Sequence, residues 1–229
     1  MIFKKIEANN SKPEIKVLIA GEEHLRFVDE INDTIERASK ERGTGIARRS
    51  YEYIASKMKE GNGIIALDGE KFAGFCYIES WNEAKYVANS GLIVHWDYRG
   101  HGLARKIKLK AFKLSRRKYP GAKLFGLTTG LAVMKINSEL GYRPVTFSEL
   151  TDDEQFWKGC QSCVNYDILL RTNETKCLCT GMLYDPKWEK SNKRARTPFN
   201  IYKDWLEKRK NEKLQFSSFN WKKFILLGR

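Results

Sequence analysis

The sequence predicts a mixed α/β (α+β) fold in which helices flank a central, mostly antiparallel sheet. Strand-like runs follow one another through short turns in the middle of the chain, and helical patterns precede and follow them. Strands joined by tight turns pair antiparallel, whereas strands separated by a helix can pair in parallel. Hydrophobic residues form 41% of the 229 residues, which is enough to build a substantial core.

The chain begins with a short polar arm, residues 1–14, which is followed by a strand and two helices. We predict the strand at residues 15–20. Apolar side chains then recur at helical spacing over residues 22–42, as on one face of a helix. Ser50 is a favourable N-cap for a second helix over residues 51–60, because its hydroxyl can accept a hydrogen bond from a free backbone amide.

The next three runs, residues 63–67, 72–79 and 86–95, are rich in aromatic and β-branched residues and predict strands. Asp68-Gly69, between the first two runs, is a strong signal for a hairpin, since tight hairpin turns require positive φ angles. These strands are expected to form the antiparallel front half of the sheet.

A long helix and a set of shorter elements follow. The apolar residues Leu103, Ile107, Ala111 and Leu114 line one face of a helix over residues 102–118, and basic residues cover the rest. The later elements are, in chain order, a strand at 123–128, a helix at 132–140, a strand at 142–147, a helical turn at 151–158 and a strand at 164–170.

The net charge of +14 is concentrated in two segments. Residues 186–229 hold 13 basic and 4 acidic side chains, and residues 99–118 hold nine basic side chains and no acid. We therefore divide the chain into one domain, residues 15–185, and a basic, aromatic C-terminal extension. In the extension, a solvated basic face, or a helix from Thr197 packed on the core or on a partner subunit, is favoured over binding to nucleic acid or to an acidic membrane.

The first residues of the chain and the lengths of its apolar runs predict where in the cell the protein is located. The first five residues turn polar before the apolar core of a secretory signal can form, and every apolar run is far shorter than the roughly 20 residues of a membrane span. These features predict a cytoplasmic protein without a membrane anchor.

The most informative segment runs from Ser90 to Ala104, where a strand leads through a glycine loop into the basic helix. Gly100 and Gly102 let the backbone approach a ligand closely, and free amides at a helix start bind anions with help from the helix dipole. A pyrophosphate suits this arrangement. The loop lacks both the Gly-Lys-Ser/Thr ending of a P-loop and the glycine spacing of a dinucleotide fingerprint.

This loop, with the order of elements around it, resembles the GNAT superfamily of acyl-CoA-dependent N-acyltransferases. The family pattern Gln/Arg-x-x-Gly-x-Gly/Ala holds the pyrophosphate of CoA, and Arg99, Gly102 and Ala104 occupy its defined positions. The resemblance covers residues 15–185 and implies a GNAT fold, with a splayed strand pair, and acetyl-CoA or succinyl-CoA as co-substrate. It also implies that the backbone of Leu92, Ile93 and Val94 pairs with the pantetheine arm of CoA as an added strand would. The other CoA contacts that it implies come from Arg99, Gly100, His101, Gly102, Leu103, Ala104 and Asn137.

Other segments are similar to the acyltransferase domain of N-acetylglutamate synthases, and more specifically to stand-alone GNAT proteins of bacterial arginine biosynthesis. The similarity lies in Thr128-Thr129, Gly141-Tyr142-Arg143-Pro144, Asn165-Tyr166 and Arg48-Arg49-Ser50. It implies transfer to the α-amino group of an amino acid, with glutamate as the first choice. A dicarboxylic acceptor needs cations, and Arg can bind a carboxylate bidentately. The candidate acceptor-binding residues are Arg49, Ser50, Thr129 and Arg171, with Arg48 as a further cation; a solvated charge at a helix start is the alternative interpretation of Arg49.

Two other functions stay open. GNAT enzymes also acetylate polyamines, aminoglycosides and protein N-termini, although a basic protein attracts cationic amines poorly. A binding module for acyl-CoA or nucleic acid, with little turnover, is the alternative outside catalysis. The sequence leaves a homodimer open as well.

The catalytic groups depart from the common family pattern. Many GNAT enzymes carry a Tyr that protonates the departing thiolate, and Asn137 stands at that position here. An amide can hydrogen-bond the sulfur or place a water but is no acid, so Tyr142 or solvent is the expected replacement. Glu79 is the candidate general base, acting through a water that Ser90 can order.

The cysteines suggest a further site. Cys160-x2-Cys163 and Cys177-x-Cys179 offer four thiolates to a structural Zn²⁺, with the strand predicted at 164–170 folding the two pairs together. Buried free thiols or a redox pair are the alternative interpretations.

Overall fold

A seven-stranded mixed sheet forms the centre of the protein, in a computed structural model that describes residues 15–43 and 49–188. Its strands are β1 (Lys16–Ile19), β2 (Gly63–Asp68), β3 (Lys71–Trp81), β4 (Tyr86–Val94), β5 (Lys123–Thr128), β6 (Arg143–Val145) and β7 (Thr180–Tyr184). They lie in the order β1-β2-β3-β4-β5-β7-β6, and only β4 and β5 are parallel neighbours. The predicted mostly antiparallel sheet is confirmed. The N-terminal arm, Arg48 and the helix predicted from Thr197 lie outside the described residues.

Helices cover both faces of the sheet. Because side chains alternate along a strand, Ile64 of β2 faces one helical layer and Ile65 faces the other. Leu103 and Ile107 pack into the first of these layers, and Ile31 packs into the second. The α-helices are α1 (Val28–Arg42), α2 (Tyr51–Lys59), α3 (Leu103–Lys118), α4 (Leu131–Glu139), α5 (Glu154–Lys158) and α6 (Tyr166–Arg171).

Local signals set the ends of the helices that frame the site. The Ser50 hydroxyl accepts a hydrogen bond of 3.2 Å from the Tyr53 amide, so the predicted N-cap of α2 is confirmed. Gly43 ends α1 in the left-handed region with a φ of 61°. In the described ranges 15–43 and 49–188, no helix has both the length and the apolar character needed to cross a bilayer.

The region after β6 differs from the sequence prediction. The strand predicted at 164–170 is wrong, because α6 occupies this stretch and Arg171 pairs with Asp167 one turn earlier at 3.0 Å. A short apolar run fits either structure, so periodicity does not decide between them. The missing strand is β7, which the sequence analysis did not identify and which inserts between β5 and β6.

Candidate active site

The parallel strands β4 and β5 form a fork. Their pairing ends at Ala88 and Phe125, and the strands separate from Asn89 and Gly126 onward. Backbone groups on the facing edges therefore lose their ladder partners beyond this point. An extended ligand can enter such an opening and use the free edge of β4.

A β-bulge lies in β4 just beyond the start of the fork. Phe75 pairs with Ile93 and Tyr77 pairs with Ser90, so β4 has one more residue than β3 between these two pairs. Gly91 has a φ of +65°, and a Cβ at this position would lie 2.5 Å from Cε1 of Tyr77. Glycine is therefore required, and the bulge redirects the backbone at the edge of the fork.

A cavity of about 480 Å³ occupies the fork, a size typical of small-molecule sites. Its walls come from β3, the edge of β4, the end of β5, the start of α2, α3, α4 and the segment after β6. The candidate residues that it brings together are Arg49, Ser50, Glu79, Ser90, Leu92, Thr129, Asn137 and the cysteines Cys160, Cys163, Cys177 and Cys179.

Arg49 brings a positive charge to the cavity wall without a carboxylate partner among the described residues. Its guanidinium donates to the Gly159 carbonyl at 3.1 Å and to the Tyr77 hydroxyl at 3.4 Å, and both acceptors are neutral. A partly buried cation whose partners are neutral groups attracts an anionic ligand.

Glu79 is held by two partners that the sequence analysis missed. The Tyr53 hydroxyl donates to Oε2 at 2.6 Å, and the Lys57 ammonium lies 2.5 Å from Oε1. Each carboxylate oxygen keeps a further lone pair for a donor in the cavity. Tyr53 remains protonated, because burial, together with Tyr77 and the Glu79 carboxylate, raises its pKa.

The glycine loop has the features of an anion site. Gly100 and Gly102 have φ angles of 82° and 74°, and α3 makes its first backbone hydrogen bond from Lys106 to the Gly102 carbonyl at 3.3 Å. The preceding amides at the helix start therefore stay available, and no acidic residue lies in the first turn. The Arg99 guanidinium donates to the Val94 carbonyl and to Glu41, both at 3.1 Å, so it braces the loop.

Comparison with known proteins matches residues 32–134, which include β4, the glycine loop and α3, to the acetyltransferase (GNAT) family. The chain contains a GNAT acetyltransferase domain. The predicted family, fold and class of enzyme, a GNAT-type N-acetyltransferase, are thereby confirmed. Among curated protein sequences, no relative was found.

Solved structures with the fold of this GNAT domain share little sequence with it. N-acetylglutamate synthase from Neisseria gonorrhoeae, complexed with coenzyme A and N-acetyl-glutamate, is 16% identical with a TM-score of 0.54, over 76% of this chain and 36% of that one. Rv2747 from Mycobacterium tuberculosis, in complex with CoA and NLQ, is 14% identical with a TM-score of 0.54, over 74% and 98%. YncA from Salmonella typhimurium, a putative acetyltransferase with acetyl-CoA, is 12% identical with a TM-score of 0.52, over 76% and 94%. This chain thus spans about a third of the Neisseria synthase, and the likeness concerns the fold.

Within the GNAT domain, the two candidates for protonating the leaving thiolate lie in different settings. Asn137 lines the cavity, and its buried Oδ1 has no hydrogen-bond partner. Tyr142 does not line the cavity; its hydroxyl donates to Oδ1 of Asn89 at 3.0 Å, and burial raises its pKa well above the usual value. The geometry thus favours Asn137 as a ligand contact over Tyr142 as an acid.

Arg171 and the CoA candidates from Ile93 to Ala104 are not among the residues that line the cavity. Arg171 is 71% exposed in its side chain and pairs with Asp167 on the same helix. Ile93 and Val94 pair with β3, the Ile93 side chain is buried in the core, and the Val94 carbonyl accepts a hydrogen bond from Arg99. His101 is exposed on the glycine loop, next to the amides at the start of α3.

The structure does not support the predicted zinc site. In the part of the chain that the structure describes, no group of three or more His, Cys, Asp or Glu side chains is placed to hold a metal ion. The strand that was expected to join the two cysteine pairs is a helix instead. Burial, and after it the neighbouring cysteine thiols, raises the pKa of Cys160 to about 11 and that of Cys179 to about 12, so both thiols are protonated at neutral pH.

Proposed function

We propose that this GNAT domain transfers an acetyl or succinyl group from acyl-CoA to the α-amino group of a dicarboxylic amino acid, with glutamate as the first choice. The observation that carries this proposal is Arg49, a cation in the cavity wall whose partners are neutral. We also place the protein in amino-acid biosynthesis in the cytoplasm, in the manner of the arginine-pathway enzymes it resembles.

The acceptor is held between charges of opposite sign. Arg49 binds a carboxylate of the amino acid, with Ser50 and Thr129 beside it in the cavity wall. Glu79, whose oxygens retain free lone pairs, accepts a hydrogen bond from the acceptor amino group. An amino acid therefore satisfies both groups, whereas a polyamine satisfies only Glu79 and is repelled by Arg49.

The acyl donor is held from the opposite side of the fork. The amides at the start of α3 bind the pyrophosphate, and the free edge of β4 beside Gly91 and Leu92 pairs with the pantetheine arm. Ser90 and Asn137 also line the cavity. CoA supplies the activated thioester; the protein orients it and receives the proton that the amine loses, through Glu79 and water.

A product assay tests the proposal. The full chain is incubated with acetyl-CoA or succinyl-CoA and with glutamate, aspartate, glutamine, spermine or a peptide, and acylated products are quantified by mass spectrometry. Glutamate should give the highest kcat/KM. A peptide or spermine preferred over glutamate would exclude the acceptor, and acylation of no amine would exclude the enzyme function.

A further inference from the structure

Lys108 lies at the closed end of the fork. Its side chain comes from α3, is 2% exposed and forms part of the cavity wall. Its Nζ is 3.4 Å from the Asn89 carbonyl oxygen, and a Cβ added to Gly126 would lie 3.8 Å from it. Asn89 and Gly126 are the first residues beyond the last paired positions of β4 and β5. The ammonium therefore stands where the two strands separate.

Lys108 has more donors than its surroundings use. Among the described residues its hydrogen-bond acceptor is the Asn89 carbonyl, and it has no carboxylate partner. The titratable groups that face it are the Cys76 thiol from β3 and the ring of Tyr142, which follows α4, with its centre 5.5 Å away. A buried ammonium with one neutral acceptor is costly, unless a ligand supplies the remaining partners.

Asn137 gives a second, independent sign that a ligand belongs here. It is 1% exposed, lines the same cavity and keeps Oδ1 without a partner. The cavity thus contains an unused acceptor from α4 and unused donors from α3. Buried polar groups are nearly always hydrogen-bonded, so both unsatisfied groups indicate that a bound molecule completes them.

We propose that Lys108 is the acid of acyl transfer, donating a proton to the CoA sulfur as it leaves, an inference that rests on the proposed function. The amine nitrogen forms a bond to the acyl carbon, the carbon–sulfur bond breaks with its electron pair on sulfur, and an Nζ proton moves to that sulfur. Lys108 is left neutral. The proton that the attacking amine loses passes to Glu79 or water, and solvent reprotonates Lys108 before the next cycle.

The acidity of Lys108 suits this task better than that of Tyr142. Burial lowers the pKa of Lys108 to about 8, with the Cys76 thiol acting weakly in the opposite direction. A thiol has a pKa near 8.5, so proton transfer from Lys108 is close to balanced. Tyr142 has a raised pKa and its proton is engaged by Asn89.

The test compares the full-length wild type with Lys108→Met, Lys108→Arg and Lys71→Met, the last being an exposed lysine at the start of β3. Steady-state kcat is measured against pH with acetyl-CoA and the best amine from the product assay. We expect Lys108→Met to lose about 100-fold in kcat, within the range for general acids. The wild-type kcat should fall above about pH 8, because the acid must be protonated, and this limb should vanish in Lys108→Met. Lys71→Met should match the wild type.

Two further measurements distinguish the loss of a proton donor from a loss of folding. Lys108→Arg keeps a cation that does not release its proton near neutral pH, so it should be as impaired as Lys108→Met. Acetyl-seleno-CoA should reduce the defect of both variants at least tenfold, because a selenolate leaves without protonation. Acetyl-CoA binding by calorimetry should change less than threefold.

Several outcomes would overturn the assignment. A Lys108→Arg variant with full kcat, a wild-type profile without a falling limb, or equal defects with thioester and selenoester would each exclude Lys108 as the acid while leaving the proposed function intact. If the wild type acylates no amine, the proposed function fails and the Lys108 assignment fails with it.

Discussion

Glu79 accepts a 2.6 Å hydrogen bond from the hydroxyl of Tyr53, a residue 26 positions earlier in the chain. The contact joins the end of β3 to α2 at the wall of the cavity. With Lys57 on the other oxygen, it fixes the carboxylate in one orientation. We infer that a preorganised acceptor of this kind orients the amine for attack on the thioester.

Removing this hydroxyl tests the role of the contact. Tyr53→Phe keeps the ring and deletes one donor to Glu79, so kcat/KM for the amine should fall about tenfold, the size of one charge-assisted hydrogen bond. The KM for acetyl-CoA should stay within twofold. Tyr51→Phe, on the exposed side of the same helix, is the matched control. An unchanged kcat/KM in Tyr53→Phe would mean that the Lys57 ion pair alone is enough to orient Glu79.

Arg49 should determine affinity for the acceptor. Arg49→Ala removes a charge-assisted contact to a carboxylate, and the glutamate KM should rise about 10- to 100-fold. CoA affinity, measured by calorimetry, should be unaffected, because the glycine loop does not contain this residue. Arg26→Ala, which removes an exposed arginine paired with Glu70, is the control. A normal glutamate KM in Arg49→Ala would remove the main support for a dicarboxylic acceptor.

A negative charge at the glycine loop should affect binding and stability in opposite directions. His101→Glu places a carboxylate beside the amides at the start of α3, where it repels phosphate and interacts favourably with the helix dipole. We expect the Kd for CoA to rise at least tenfold, while the free energy of unfolding rises by about 0.3–1 kcal/mol. His101→Gln, which adds no charge, should change neither. Normal CoA affinity in His101→Glu would place the pyrophosphate elsewhere.

Cys160 and Cys179, in the cavity wall, should behave as neutral thiols. A raised pKa lowers the thiolate fraction at neutral pH, so alkylation of Cys160 and Cys179 by iodoacetamide should be slow at pH 7 and accelerate about tenfold for each pH unit. Peptide mapping by mass spectrometry reports each site. EDTA should leave the Tm unchanged. Rapid alkylation at pH 7 would show that these cysteines are thiolates. A fall in Tm with EDTA would show that a metal ion stabilises the protein.

The framework of the site follows from local sequence signals. The Ser50 cap, the Asp68-Gly69 turn and the Gly100 and Gly102 loop each depend on a few adjacent residues, so they could be predicted without knowledge of the fold. Residues 164–170 show the limit of this approach, because their apolar pattern suits a helix or a strand and only packing selects one.

The sequence by itself determined the order of the elements as far as β6, the anion-binding loop and the presence of a cation near the start of α2. Only the tertiary structure decided that Lys57 and Tyr53 hold Glu79, that Arg171 is exposed and pairs with Asp167, and that Lys108 stands where β4 and β5 separate. The physical reason is distance along the chain: turns and caps depend on neighbouring residues, whereas ion pairs and buried charges depend on residues that the sheet brings together.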